Sequence, residues 1–73
     1  MDNNQKYRAI KQKINDSYDI PDTILSPIVI RCIDGDGTIS RSVRDIYRKQ
    51  GVPEAVFDCA ENAYKKLLID GTK

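Results

Sequence analysis

A chain of 73 residues with 12 basic and 11 acidic side chains, a formal charge of +1 and 40% apolar content is sized for one domain, and its total charge gives no bulk attraction to a polyanion. Two cysteines and no histidine exclude a disulfide scaffold and a Cys/His zinc site, and they remove the commonest general base. No apolar run approaches the ~18 residues of a bilayer span, and Asp2-Asn3-Asn4 is not the opening of a signal peptide. The expectation is a cytoplasmic protein of one domain, residues 1–73.

Asp2, Asn3 or Asn4 can cap a first helix. In it Tyr7, Ile10, Ile14 and Tyr18 recur at threes and fours and share one face. The stripe is narrow, with Lys6, Lys11 and Lys13 around it, which predicts an outer helix adding little to the core. Asp19-Ile20-Pro21-Asp22 reads as a break, with Pro21 suited to the first turn of the next helix. Residues 23–33 are the most apolar segment. Ser26-Pro27 can start a short helix or sit inside a longer one, while Ile28-Val29-Ile30 would also suit a strand. Helix is the assignment adopted, because a lone strand has nothing to pair with.

Cys32 to Ser40 packs glycine, carboxylate and hydroxyl together and reads as a turn whose Thr38, Ser40 or Ser42 caps the helix that follows. Ser42 and Asp45 have the spacing of a capping-box variant. Val43, Ile46 and Tyr47 give that helix its apolar stripe, and Gly51 ends it in the left-handed position. Pro53 and Glu54 then open the last helix. Val56, Phe57, Ala60, Ala63, Tyr64, Leu67 and Leu68 form a broad apolar face over about five turns at ~3.6 residues each. Asp70-Gly71 stops it.

The Asp34-Gly35-Asp36-Gly37-Thr38-Ile39-Ser40 stretch resembles the calcium loop of EF-hand proteins over about a dozen residues. With Gly37 on that family's central glycine, Asp34 and Asp36 fall on the third and fifth ligand positions, Thr38 on the seventh and Ser40 on the ninth. The resemblance implies calcium bound by those four residues. The pattern departs at both ends, with Cys32 at the first ligand position and Val43 where a bidentate Glu belongs.

Residues 43–62 also resemble a helix-turn-helix, with Ile46, Gly51, Val52 and Phe57 at suitable positions. The second helix of that pair leads with Glu54, Asp58 and Glu61, whereas a helix entering the major groove should be basic or neutral. A ribbon-helix-helix variant would make residues 28–33 a strand. The third candidate is the basic row itself. Arg41, Arg44 and Arg48 line one face, joined by Lys49, and arginine forks grip carboxylates or phosphates in two-pronged fashion.

The reading is an all-α bundle of three or four helices with the long amphipathic C-terminal helix as packing spine, where Val43, Ile46, Val56, Phe57, Ala60, Tyr64 and Leu67 meet. The expected function is non-enzymatic. The chain is read as a self-associating regulator that binds a macromolecule, a protein first and nucleic acid second, through Arg41, Arg44, Arg48 and Lys49, and that needs no cofactor. A DNA-binding regulator and a degenerate EF-hand-like calcium module are the alternatives.

Overall fold

The structure, a computed structural model, describes residues 2–71. Helix α1 spans Asn3–Asn15, α2 Asp22–Asp34, α3 Arg41–Arg48 and α4 Glu54–Gly71. No strand is present among the described residues, so the fold is the small all-α bundle the sequence predicts. No helix among them is long and apolar enough to cross a membrane.

Each helix boundary has a local cause. Asp2 accepts the Gln5 N–H and Gln5 reaches back to the Asp2 N–H, a complete capping box that satisfies two otherwise orphaned donors. Pro21 sits just before α2, and its carbonyl accepts from Ile24 N at 3.0 Å and Leu25 N at 2.9 Å. Ser26-Pro27 starts nothing, because Pro27 lies inside α2. There it deprives the Thr23 carbonyl of its helical donor. Residues 28–33 are helical throughout, which rules out the ribbon variant. Ser40, rather than Thr38 or Ser42, caps α3, accepting from Val43 N. Asp70 and Gly71 remain within α4, and any stop after them lies outside the described residues.

Helices α2 and α3 end alike. Gly37 N donates to Cys32 O at 2.8 Å and Asp36 N to Ile33 O at 3.1 Å, while Val52 N donates to Tyr47 O at 3.1 Å and Gly51 N to Arg48 O at 3.0 Å. This paired pattern closes a helix through one left-handed residue. Gly51 takes that role at the end of α3 with φ +96°, and Asp36 takes it at the end of α2 with φ +54°. Asp tolerates the left-handed region better than most side chains.

The packing spine is α4, with Val56, Phe57, Ala60, Ala63 and Tyr64 all buried. Against it lie Leu25, Ile28, Val29 and Cys32 of α2, and Ile10 and Ile14 of α1. Helix α1 therefore departs from expectation. Ile10 and Ile14 are completely buried, and at ~1.5–3 kcal/mol for each such side chain they make α1 a core element. A polar strap reinforces the α1–α2 seam. Tyr7 Oη and Ser26 Oγ are 2.6 Å apart, Ser26 donates to Asp22, and Lys11 pairs with the same carboxylate, which holds its ammonium above the ordinary lysine value.

Lys6 lies over the Tyr64 ring, and Lys13 shares a surface hollow with Cys59, Asn62 and Lys66. Helices α1 and α4 are thus antiparallel. Ile46, expected in the core, is 54% exposed. Val43 and Tyr47 do pack against the core, and Ile46 lies ~100° round the helix from Tyr47, off the contacting arc.

Candidate interaction surface on the third helix

Helix α3 has no fully buried residue; Val43 and Tyr47 pack against the core, and Arg44, beside Tyr47 on the same side, reaches α4. Arg44 is the principal polar tie. Its Nη2 meets Glu61 Oε1 at 2.9 Å. Its Nη1 is shared between Glu54 Oε2 at 3.1 Å and Asp58 Oδ1 at 3.2 Å. Its Nε donates to the Ile39 carbonyl at 3.1 Å, and the guanidinium lies 5.6 Å from the centroid of the Phe57 ring.

Glu61 completes the arrangement by accepting the Ile39 N–H on Oε2 at 2.8 Å. One guanidinium and one carboxylate therefore fix the entry to α3 at both backbone atoms of Ile39. Burial works against the Arg44 charge, but the hydrogen bonds it donates to Glu61, Glu54 and Asp58 outweigh it and hold the group above its ordinary value.

The sequence grouped Arg41, Arg44, Arg48 and Lys49 as one partner-binding row, and the structure divides them. Arg44 is turned onto α4, with 19% of its side chain exposed. Arg41, Arg48 and Lys49 are exposed. Arg48 approaches Asp45 only at 3.9 Å, with both side chains more than half exposed, a pair worth ~0–1 kcal/mol at most. Going round α3 at ~100° per residue, the outer side runs from Arg48 and Arg41 on the flank next to Arg44, through Asp45 and Lys49, to the exposed Ile46 on the opposite flank. A shallow hollow of about 290 Å³ between Ile39, Arg41, Arg44, Asp45, Arg48 and Glu54 runs along the seam. Its two carboxylates offset much of the arginine charge.

The residues aligned with calcium ligands are used differently. Asp34 is the last residue of α2, so the first three positions of a twelve-residue loop are already helical. Asp36 is the left-handed closing residue. Thr38 Oγ1 donates to Gly35 O at 2.6 Å, and Ser40 caps α3. Among the described residues no cluster of three or more Cys, Asp or Glu side chains is arranged to hold a metal ion. In the helix-turn-helix alignment, the acidic front of α4 is turned toward Arg44.

Two roles were not read from the sequence: Glu61 as the partner of both Arg44 and Ile39, and Tyr64 as the wall against Gly37. The first had a signal. Glu54, Asp58 and Glu61 recur at four and three on α4, one acidic stripe facing a helix with a surplus of arginine.

The two thiols are distinct. Cys32 is buried and Cys59 is partly accessible. Burial, with the nearby Glu61 charge adding and Arg44 opposing, pushes the Cys32 thiol up to about 11. A folded value raised above the unfolded one means that the native state retains its proton longer. This contribution is intact below the unfolded value and is lost as pH rises through the folded one. Native alkylation at pH 8 is expected to label Cys59 alone, with Cys32 reacting only on unfolding, and the melting temperature should fall between about pH 9 and 11. Peptide mapping of the alkylated protein and an alkaline melting series check both.

No protein-family model matches the chain, and comparison with curated proteins and with solved structures gives no match either.

Proposed function

We propose that the chain is a non-enzymatic binding protein whose partner, a protein with an acidic surface, docks on the outer side of α3. The observation that carries this reading is the division within the basic row. Arg44 fastens α3 from below, which leaves Arg41 and Arg48 on one flank, Lys49 on the outer side and Ile46 on the other flank, all exposed, on a helix with little other role in the core. Cations from one flank to the middle and an aliphatic side chain on the other fit a partner that wraps the helix with an acidic surface and an apolar edge. Duplex DNA fits less well, because Glu54, half exposed, lines the same hollow as Arg41 and Arg48, Asp58 stands next to it on Arg44, and both repel phosphate.

The test is affinity capture from the native host with three baits: the wild-type chain, Arg41→Glu/Arg48→Glu, and Ile46→Asp. All three should fold with near-identical melts, because the substituted side chains are exposed. A partner held by the wild type and lost with both variants is the expected result; a partner retained by both removes α3 from the account. A labelled duplex bound at low salt, released steeply as salt rises and indifferent to Ile46→Asp would establish the nucleic-acid reading instead.

A further inference from the structure

Among the described residues, three of the four exposed large aliphatic side chains lie toward one end of the bundle. Ile30 on α2 is 49% exposed, and Leu68 and Ile69 on α4 are 43% and 65% exposed. That end gathers the start of α1 with the ends of α2 and α4, as Lys6 over Tyr64 and Gly37 against the same ring establish. Between α1 and α2 it holds a mainly apolar groove of about 400 Å³, lined by Asn3, Asn4, Tyr7, Ile30, Ile33 and Asp34. The antiparallel register set by Lys6 and Tyr64 places Asn3 opposite Leu67, so Leu68 and Ile69 extend past the start of α1.

We propose that a second copy of the chain fills this groove with the last turns of its α4, and that the exchange is reciprocal. The complementarity is within the sequence. Lys65, Leu68 and Ile69 sit at i, i+3 and i+4 on α4, and Ile30, Ile33 and Asp34 at i, i+3 and i+4 on α2, so each triplet forms one stripe.

Laid antiparallel, the stripes bring Lys65 to Asp34 as Ile69 meets Ile30, at the same four-residue separation. Helices α2 and α4 both finish at this end, so a two-fold axis across it reverses the partner's α4 relative to α2. That is the direction the match requires, and both grooves are filled by one closed operation. The alternative self-contact, cations of α3 on the acidic face of a second α4, is disfavoured because Arg44 of the same chain already holds Glu54, Asp58 and Glu61. The patch is small, which places the dimer among weak, concentration-dependent assemblies.

The test is sedimentation velocity of the full chain over a concentration series reaching about 1 mM, near the affinity below which specific association is marginal. The wild type is expected to pass from monomer to dimer. Leu68→Glu/Ile69→Glu, and separately Ile30→Glu, should weaken the dimer by at least about tenfold, roughly the contribution of one buried aliphatic side chain, with circular-dichroism melts of the monomers unchanged. Lys65→Glu should weaken it, and adding Asp34→Lys to that chain should restore it.

Arg41→Glu/Arg48→Glu should leave the dimer intact, which separates this surface from the one proposed on α3. A monomer at every concentration, a dimer indifferent to the aliphatic substitutions, or a charge swap that fails to restore association would each overturn the proposal.

Discussion

Replacing Arg44 by methionine is expected to lower the melting temperature by roughly 10–20 °C, the equivalent of about 2–3 kcal/mol in a domain of this size. Methionine keeps much of the aliphatic bulk over Phe57 and removes the guanidinium. Three carboxylates then face one another without a cation, and the Ile39 carbonyl loses its donor. Removing one member of a buried ion pair costs ~3–5 kcal/mol. The figure is lower here because Glu54 and Asp58 are 50% and 60% exposed and water screens them, whereas Glu61 is only 19% exposed. Lysine should recover only part of the loss, since a single ammonium cannot address Glu61, the Glu54/Asp58 pair and a carbonyl from separate nitrogens. Thermal melts of wild type, Arg44→Met and Arg44→Lys check the order.

The second large effect is expected at Gly37. Its φ is +91°, and a Cβ built there would fall 2.5 Å from Cδ1 of Tyr64, whose residue is only 5% exposed and has no room to withdraw. Backbone strain in the left-handed region costs ~1–2 kcal/mol, and forcing a packed ring aside adds ~1–3 kcal/mol. Gly51 is the internal control. Its φ is +96°, yet nothing lies within 4 Å of the position a Cβ would take, so Gly51→Ala should cost only the strain. Gly37→Ala is expected to lose about twice as much stability as Gly51→Ala in parallel denaturant titrations. Equal losses would mean that the Tyr64 ring plays no part in closing the loop.

What the sequence disclosed and what it concealed follow one physical division. Features set by neighbours in the chain were legible. A polar cap among Asp2, Asn3 and Asn4, which falls to Asp2, the left-handed close at Gly51, the opening at Pro53-Glu54 and the apolar face of α4 as far as Leu67 are all local, and all are found in the fold. Pro27 was readable in two ways, because a proline late in the first turns of a helix and a proline at its start leave similar traces.

Features set by the relative rotation of two helices were not legible. Ile46 shares spacing with Val43 and Tyr47, but an eight-residue helix touches its support along one narrow arc, and only packing decides which side chain falls outside it. The stripe of α1 appeared too thin to matter. Ile10 and Ile14 are nevertheless fully buried, because α4 and α2 close over them from two sides. Arg44 shows the same division most sharply. Three- and four-residue spacing groups it with Arg41 and Arg48, and nothing within α3 says that its head turns inward. The acidic stripe Glu54, Asp58, Glu61 on the next helix was the available sign, since the segment from Gly51 to Tyr64 contains no cation of its own.

The measurement closest to the centre of this account is a double-mutant cycle on stability between Arg44→Met and Glu61→Gln. If Arg44 belongs to the fold and leaves partner contact to Arg41, Arg48 and Lys49, the two losses will be strongly non-additive, with a coupling of more than about 1 kcal/mol, as for residues in direct contact. Additive losses, with a melting temperature barely moved by Arg44→Met alone, would return Arg44 to the surface row and contradict the account.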